Sequence, residues 1–578
     1  MKVINTDVLV VGAGPAGLTA AALLARSAIP SITVTKFGGT ANAPRAHVTN
    51  MRAMEILRDL GIEDKIKARA LPQELMGNQV FATSFSGKEF ARMMTWGEGH
   101  DRKGEYKDSS PSAMCNIAQH TLEPIMLEAA KGFGADIRFN HEAIEIKQDE
   151  KGVTATIRQR KTGETYQIRA KYVIGCDGAK TLVGSQFEFD FQGKHGLGDA
   201  ITVWIEADLS QYTKHRSGAL FFVLTPGSKD ILSIWTCVEP WNEWSTIFAL
   251  DDQLKGEITE ESVMERIRMA IGDPSIEVKI KKISDWSINH VWANQYRNGR
   301  AFIAGDAAHR HPPAGGLGSN TSIQDAYNLV WKLALVLKGQ ADESLLNSYN
   351  DERQPVGRAM VDRANRNIVE VFPFLGALGL EPGQTKAEGE AILEELLGGS
   401  ELGSQRRGEM MEAMELMNHQ FNALGFELGQ RYQSTAVMND GQPFPKYAED
   451  PALHYQQTTH PGAHIPHVWL QSGTQYTSTL DLVSYDSFTL IVGAGGDDWI
   501  QAVNVVRKEL PINLKVVKVG MGQDQYCDVL GHWAKRREVG DGGCVLVRPD
   551  RFVAWRCDKK SKNPNSDLLI AMKSILGL

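Results

Sequence analysis

The chain has 578 residues, of which 42% are hydrophobic and 23% are charged, and its formal net charge is −8. A chain of this length is too long for one hydrophobic core, so we expect about three domains. The acidic balance argues against nucleic acid or an anionic membrane as the main partner. The six cysteines show neither a CxxC pair nor metal-ligand spacing, which favours a reduced, cytoplasmic protein without a metal site.

The first element is an apolar strand followed by a glycine-rich turn and a helix. Val8–Val11 precedes Gly12-Ala13-Gly14-Pro15-Ala16-Gly17, and a helical pattern runs from Leu18 to Arg26. Eighteen uncharged residues stand between Asp7 and Arg26, but glycine and proline interrupt them, so we expect neither a membrane span nor an export signal. GxGxxG between a strand and a helix predicts binding of a dinucleotide pyrophosphate.

The second strand, Ser31 to Thr35, lacks the acidic residue that usually holds an adenosine ribose at its end. Thr35 and Lys36 stand there instead. The ribose would then be held by one of these side chains or by backbone groups, and Lys36 could alternatively contact the pyrophosphate.

Arg45 and His47 come just before a helical pattern from about Asn50 to Leu60. Their spacing allows one side chain to point toward a phosphate and the other into a cavity. From spacing alone, a surface or helix-capping histidine is the simpler interpretation of His47.

The middle of the chain alternates between two kinds of sheet. Residues 71–100 and 186–286 indicate strands of a second sheet, with five tryptophans between Gly184 and Trp286 and one helix at Glu260–Ile271. Such aromatic residues usually form a core, although together they could wall an apolar cavity. Between these segments we expect a helix from Thr121 to Gly132, a small β-meander (137–147, 152–159, 164–174), and a strand that ends in Asp177-Gly178.

Residues 301–320 carry the strongest signal, reading AFIAGDAAHRHPPAGGLGSN. A strand that ends in Gly305-Asp306 puts one carboxylate at its tip, where it can accept hydrogen bonds from a polyol. The glycine-rich loop has little side-chain bulk and leads into a helix, whose N-terminus favours developing negative charge. These are the requirements of a flavin, although an ordinary strand–loop–helix connection would share the pattern.

The rest of the chain is predicted as helices followed by an α/β unit. Helices are expected from Ser322 to Lys338 and through Arg353, and residues 366–437 look like a helical connector. From 438 to 578, short strands and helices follow a thioredoxin-like order without CxxC, which excludes thiol redox chemistry. Gly493–Gly496 resembles a nucleotide loop but is better explained as a turn.

Four motifs occur together in one order: GxGxxG at 12–17, Asp-Gly at 177–178, GDxxH…PPxGGxGxN at 305–320 and SYxxER at 348–353. With them, the chain resembles the group A FAD-dependent aromatic hydroxylases, and within these the phenol hydroxylase branch that acts on dichlorophenol and 2-hydroxybiphenyl. The resemblance implies a glutathione-reductase-type FAD-binding domain (1–70, 101–185 and 287–365), an inserted β-sheet substrate domain (71–100 and 186–286), the connector, and the thioredoxin-like domain of a homodimer.

The resemblance also implies roles for individual residues. It assigns FAD binding to Gly12, Gly14, Pro15, Ala16, Gly17, Lys36, Arg45, Gln119, Asp177, Gly178, Asp306, Pro313, Gly316, Gly318 and Asn320. It places His47 at the position of the base that deprotonates a phenol, and His290 near substrate and flavin. Trp96, Trp235 and Glu239 become candidates for the pocket wall. Thr181 and Gly184 depart from the serine and arginine that usually follow the Asp-Gly pair.

The implied reaction uses NADPH or NADH as a transient co-substrate and O2 to form a flavin C4a-hydroperoxide, which ortho-hydroxylates a phenolic aromatic compound. A phenol has a pKa near 10 and histidine one near 6.5, so a placed histidine suits removal of the hydroxyl proton. Two other functions stay open. One is a flavin oxidase or dehydrogenase that inserts no oxygen, and the other is a binding protein with a vestigial flavin site.

Overall fold

The computed structural model describes residues 2–227, 231–250, 258–381, 383–521 and 525–578. Strands and helices alternate along the described chain, and the mixed α/β fold that the sequence predicts is confirmed. In its described residues, no helix is long and apolar enough to cross a bilayer.

The first sheet is built around the strand Val8–Val11, all of whose residues are buried. The helix Pro15–Arg26 and the strand Thr165–Ala170 both pack against it. Its neighbours run parallel to it, except for the short edge strand Arg297–Asn298. The strands lie in the order Arg297–Asn298, Ala301–Ile303, Tyr172–Gly175, Val8–Val11, Ser31–Thr35 and Asp136–Phe139. The carboxyl ends of Val8–Val11, Tyr172–Gly175 and Ala301–Ile303 therefore meet at one edge, which brings three of the four motifs together.

The helices of this first unit pack on that sheet, and Pro15–Arg26 lies against the long helix that follows the glycine-rich loop. Their bounds are Pro15–Arg26, Met51–Asp59, Glu63–Lys67, Lys103–Ser109, Gln119–Gly132, Leu182–Gln186, Leu317–Leu337 and Asn347–Val369. The long helix begins at Leu317 rather than Ser322. Gly318 and Asn320 therefore lie in its first turn and not in the loop.

The predicted β-meander is divided between two sheets. Residues 137–147 form two strands, Asp136–Phe139 in the first sheet and His141–Asp149 in a separate one, because Asn140 adopts a left-handed conformation between them. The separate sheet has the order Val3–Asn5, Thr165–Ala170, Gly152–Gln159 and His141–Asp149.

A large, mostly antiparallel sheet forms the second unit. Its strands lie in the order His309–Arg310, Lys279–Ala293, Phe191–Glu206, Glu243–Leu250, Leu232–Glu239, Leu220–Leu224, Asn78–Ala82 and Glu89–Met94. The helix Glu260–Ile271, at its predicted bounds, packs with Trp235 and Trp244 on one face, which we call the outer face. Phe81, Leu220 and Ile234 alternate onto the opposite, inner face. The helix Ser210–Thr213 completes this unit.

A small sheet that the sequence did not predict lies over the inner face. It consists of Val48–Thr49, Cys115–Asn116 and Leu71–Pro72. Its first strand begins directly after His47, so it fixes the position of that histidine.

The connector is helical, as predicted, with Phe372–Leu378, Lys386–Leu397, Glu401–Phe421 and Leu424–Leu428. The C-terminal unit has the order Gln475–Ser478, Trp469–Ser472, Tyr526–Cys527, Leu514–Gly520, Phe488–Val492, Cys544–Val547 and Val553–Cys557, with helices Asp497–Glu509, His532–Arg536 and Pro564–Leu576. Phe488–Val492 and Leu514–Gly520 are parallel and the next two strands antiparallel, which is the thioredoxin-like order.

A buried ionic cluster joins the C-terminal unit to the first unit. Arg548 donates to both carboxylate oxygens of Glu352, at 2.5 and 2.8 Å, and Lys332 donates to the same carboxylate at 2.7 Å. All three side chains are inaccessible to solvent. Burial is the largest influence on Lys332 and lowers its pKa to about 8, despite the neighbouring Glu352.

Candidate active site

The glycine-rich turn at residues 12–17 leaves room for an anion. Gly12 has φ +109°, and a Cβ there would lie 2.0 Å from the carbonyl oxygen of Cys176, so the strand and turn can pack only with glycine. A Cβ on Gly14, by contrast, would meet no protein atom closer than 3.9 Å. This open side stands at the N-terminus of the helix Pro15–Arg26, where unpaired N–H groups bind phosphate.

Glu123 is a buried carboxylate beside this turn that the sequence analysis missed. It accepts hydrogen bonds from Gln119 Nε2 at 2.6 Å and from the backbone N–H of Ala41 at 2.5 Å. Burial raises its pKa. Glu123 therefore fixes the loop before Arg45 and holds the side-chain amide of Gln119. The spacing of four residues between Gln119 and Glu123 on one helix could have indicated this contact from the sequence.

The other predicted pyrophosphate and ribose ligands are exposed at the same edge. Lys36 and Arg45 are both exposed, and the Lys36 carbonyl accepts from Arg160 at 2.9 Å. Neither side chain makes an ion pair with another described residue.

The carboxylate of Asp177 accepts hydrogen bonds from the residues that follow it in the chain. It accepts from Thr181 Oγ1 and from the N–H groups of Leu182 and Val183, at 2.6, 2.6 and 3.2 Å. It thereby caps the helix Leu182–Gln186, and burial raises its pKa. Gly178 next to it is open, since a Cβ there would meet nothing within 4 Å.

Asp306 stands exposed at the end of the strand Ala301–Ile303. Its carboxylate has no hydrogen-bond partner within the described ranges of the chain. An exposed carboxylate at this edge suits the hydroxyl groups of a ribityl chain, as the sequence predicts.

The loop from Pro312 to Gly316 is clamped to the strand after His47. Gly316 has φ +67° and caps the helix Leu317–Leu337. The Asn320 amide donates to the carbonyls of Val48 and Gly316, at 2.9 and 2.6 Å, and accepts from Asn50 N–H at 3.0 Å. Asn320 is thus a clamp between loop and strand. Pro313 is exposed, and Gly318 lies beside His311.

A buried polar cluster supports this loop from below. Asp325 accepts from His309 Nε2 at 2.8 Å, from Gly305 N–H at 3.0 Å and from Arg353 at 2.8 Å. Tyr349 donates to the carbonyl of Ile303 at 2.8 Å. Because Tyr349 and Arg353 belong to SYxxER, this motif acts by fixing the Gly305-Asp306 turn.

His47 is held over the inner face of the large sheet. Its carbonyl accepts from Ile117 N–H at 2.7 Å. Both ring nitrogens are buried, and neither has a partner among the residues described. Burial, with a smaller contribution from neighbouring His120, lowers its pKa to about 3, so the imidazole is neutral at pH 7.

His120 lies beside His47 and was not singled out from the sequence. Its ring is 5.0 Å from that of Trp204 on the inner face, and Trp204 Nε1 donates to Glu243 at 3.0 Å. Its Nδ1 is buried without a partner in the described chain. Burial lowers the pKa of His120, and the negative charge of Glu239, which is exposed, acts in the opposite direction.

Two predicted pocket residues are placed elsewhere. Trp235 is fully buried on the outer face, where its ring packs 5.1 Å from Phe85 and its Nε1 donates to Ser233. The prediction that it lines the pocket is wrong, because alternation along its strand turns it away from the inner face. His290 Nε2 lies 2.8 Å from Asp362 on the helix Asn347–Val369, and no contact joins it to His47 in the described chain.

Trp96 lies in the core that continues from the inner face. It is buried, has φ +50°, and packs edge-on against Phe421 at 5.9 Å. Its carbonyl accepts from Gln73 at 2.6 Å.

These features fit FAD. The open helix N-terminus at Gly14 would hold the pyrophosphate, the exposed Asp306 the ribityl chain, and the loop before Leu317 the ring system beside His47. Bound there, FAD would supply the capacity to pass electrons from a reduced nucleotide to oxygen.

Comparison with known proteins agrees with this site. Residues 5–364 match the family described as FAD binding domain, and residues 458–578 match the family described as Aromatic-ring hydroxylase, C-terminal. The chain is 41% identical to 2,4-dichlorophenol 6-monooxygenase of Delftia acidovorans, over 100% of this chain and 99% of that protein. It is 41% identical to phenol 2-monooxygenase of Pseudomonas sp. strain EST1001, over 98% and 92%.

A solved structure gives the same result. The flavin-dependent monooxygenase PieE, in complex with FAD and substrate, superposes with a TM-score of 0.96 at 42% identity, covering 99% of each chain. The chain therefore belongs to the FAD-dependent aromatic-ring monooxygenases.

Proposed function

We propose that this enzyme uses NADPH or NADH and O2 to hydroxylate a phenolic aromatic compound at the carbon ortho to its hydroxyl group. The observation that carries the proposal is His47, whose ring nitrogens are buried beside the clamped loop without a partner among the described residues. A buried, unpaired imidazole has a free energy cost unless a polar group of a ligand meets it. The names of the relatives support a phenol as that ligand.

In this proposal His47 accepts the hydroxyl proton of the substrate. A phenolate is the more nucleophilic form at the ortho carbon, which makes proton removal the useful step for an enzyme of this class. The low pKa of His47 does not oppose it, since a negative phenolate raises the pKa of an adjacent imidazole. His120 stands beside His47 as a second neutral histidine.

Other parts of the chain hold the cofactor and keep water out of the site. Gly14, Arg45 and Asp306 would hold the cofactor, with Asn320 keeping the loop against the strand Val48–Thr49. The inner face of the sheet and the connector helices enclose the reaction, which protects a reactive oxygen species from water. We also propose the three-domain division given by the sequence, with Lys36 and Gly178 at the nucleotide edge and a supporting role for His290.

We further propose a cytoplasmic homodimer. All six cysteines are unpaired, which supports a reducing compartment. Light scattering of the purified protein tests the dimer.

The function is tested by aerobic oxidation of NADPH and NADH by the FAD-loaded protein, with and without a panel of ortho-substituted phenols. Product and peroxide are measured in the same reactions. Stimulated oxidation that yields catechol product with little peroxide supports the proposal. If every phenol leaves nucleotide oxidation unchanged, the proposal fails and a flavin oxidase or dehydrogenase replaces it. Stimulation with only stoichiometric peroxide excludes that phenol as substrate.

A further inference from the structure

Gln79 is a fully buried amide in the large sheet. It lies on the strand Asn78–Ala82, where its side-chain oxygen and nitrogen both lack a hydrogen-bond partner in the described part of the chain. An amide can donate two hydrogen bonds and accept two. Leaving all of them unmade in an apolar interior is unfavourable, so such a group needs a polar ligand.

The strand register shows that Gln79 faces the active site. Gln79 pairs with Leu220, Leu220 with Thr236, Thr236 with Ser245, and Ser245 with Trp204. Directly paired residues share a face of the sheet. The ring of His120 packs against the ring of Trp204, so Gln79 and the histidines lie over the same inner face.

Asn116 links His47 to this row. Its Nδ2 donates to the carbonyl of Cys237 at 2.7 Å, next to Thr236, and its Oδ1 is buried without a partner in the described chain. Asn116 pairs with Val48, the residue that follows His47. The strand of Cys237 and the strand of Gln79 are separated by one strand, so these two strands lie about 10 Å apart at about 4.8 Å per strand.

The surroundings of Gln79 are apolar. Met93 and Leu220 pair with it on either side, and Phe81 follows it on the same face. One polar group therefore stands in an apolar environment, the arrangement by which small-molecule sites fix orientation.

We propose that Gln79 binds a second hydrogen-bonding group of the substrate. The substrate is then a phenol longer than a single ring, with a carbonyl, amide or hydroxyl group at the end remote from the hydroxyl that His47 receives, because the strand of Gln79 lies about 10 Å from the strand that Asn116 contacts. This inference rests on the proposed function of the site. It distinguishes the chain's substrate from an unsubstituted phenol or a chlorophenol, which would leave Gln79 unpaired.

The experiment compares matched 4-hydroxybiphenyls that carry either a carboxamide or a methyl group at the 3′ or 4′ position. Binding is measured from the change in flavin absorbance, and kcat/KM from hydroxylated product. The wild-type enzyme is expected to prefer the better carboxamide over its methyl counterpart by tenfold or more, since a site built to hydrogen-bond discriminates strongly against an analogue that cannot. Gln79→Met, which keeps length and removes the amide, should bring this ratio close to one.

Gln501→Met, the same substitution at an exposed position of the C-terminal unit, should keep the wild-type ratio. A second variant, Gln79→Leu, repeats the test if Gln79→Met folds poorly. A ratio that is unchanged by both Gln79 variants, or a wild-type ratio near one, overturns the inference. Failure of the proposed function looks different, because no phenol of either series would then stimulate nucleotide oxidation.

Discussion

At the scale of single residues, His47 and Asp306 illustrate two ways in which a ligand site appears in a protein. His47 is buried with neither ring nitrogen paired to a described residue, whereas Asp306 is exposed with a free carboxylate. The unpaired nitrogens of His47 raise the free energy of the folded protein unless a ligand pairs with them, and the carboxylate of Asp306 can accept hydrogen bonds from a ligand.

Replacing His47 tests its role as the base. In His47→Gln we expect hydroxylated product to fall by about 100-fold, the usual contribution of general-base catalysis, while FAD stays bound and NADPH oxidation stays measurable. Product is measured by chromatography under saturating phenol. His100→Gln, at an exposed histidine, serves as the control and should match the wild type. A product rate in His47→Gln equal to wild type would remove this histidine from the mechanism.

The same residue makes stability depend on pH. Its folded pKa of about 3 lies below the ordinary value of 6.5, so the unfolded chain binds the proton more readily. The stability that neutral His47 contributes is complete above pH 6.5 and is lost as the pH falls toward 3, at up to about 1.4 kcal/mol per pH unit. Urea unfolding at pH 7, 6 and 5 should therefore show a shallower loss of stability in His47→Gln than in wild type or His100→Gln. Parallel pH dependences in all three proteins would contradict this.

At the scale of elements, two glycines of the turn at residues 12–17 have different roles, one in folding and the other in cofactor binding. A Cβ at position 12 would clash with the Cys176 carbonyl, and one at position 14 would enter open space. We expect Gly12→Ala to lower the melting temperature of the apoprotein or to prevent folding. Gly14→Ala should melt like wild type without cofactor but bind FAD more weakly, because the added methyl group occupies the place of the pyrophosphate. Apoprotein melting and the ratio of flavin to protein absorbance distinguish these outcomes; equal FAD content in Gly14→Ala and wild type would show that the pyrophosphate lies elsewhere.

Local patterns were sufficient to predict most elements. The helix Glu260–Ile271 and the strands Val8–Val11 and Ser31–Thr35 have their predicted bounds, because periodicity, caps and glycine breaks are local properties. The glycine turn, the Asp-Gly pair and the Gly-Asp loop could be identified for the same reason.

The residues that face the active site from the inner face of the large sheet could not be predicted from local patterns. Gln79, Thr236 and Trp204 share a face through strand pairings, one of which joins residue 79 to residue 220. A sequence gives the alternation of a strand without saying which face a helix covers. Trp235 was misassigned for that reason. Glu123 and Asn116 were missed because their importance comes from contacts with residues 41 and 237.

At the scale of the whole molecule, the ionic cluster of Glu352, Lys332 and Arg548 attaches the C-terminal unit to the FAD-binding unit. Such a cluster contributes less to stability than its number of contacts indicates, but removing one member leaves an uncompensated buried charge.

We expect Arg548→Met to lower the free energy of unfolding by about 3–5 kcal/mol and to make the C-terminal unit sensitive to protease. Adding Glu352→Gln should recover part of the loss, because it removes one of the two buried carboxylates, those of Glu352 and Asp550, that Arg548 pairs with. Arg69→Met, at an exposed position, is the matched control. Denaturant unfolding and limited proteolysis measure both effects; equal stabilities of Arg548→Met and Arg69→Met would mean that the cluster does not hold the two units together.

The order of strands in the first sheet also affects how the protein is made. Val8–Val11 lies beside Tyr172–Gly175, which in turn needs Ala301–Ile303 on its other side. A ribosome that adds about 5–20 residues per second would need roughly 15–60 s to travel from the first of these strands to the last. Ser31–Thr35 can pair with Val8–Val11 early, but one edge of this apolar sheet lacks its neighbouring strand until Ala301–Ile303 is made. Early synthesis is therefore the stage at which this enzyme is most exposed to aggregation and depends most on chaperones.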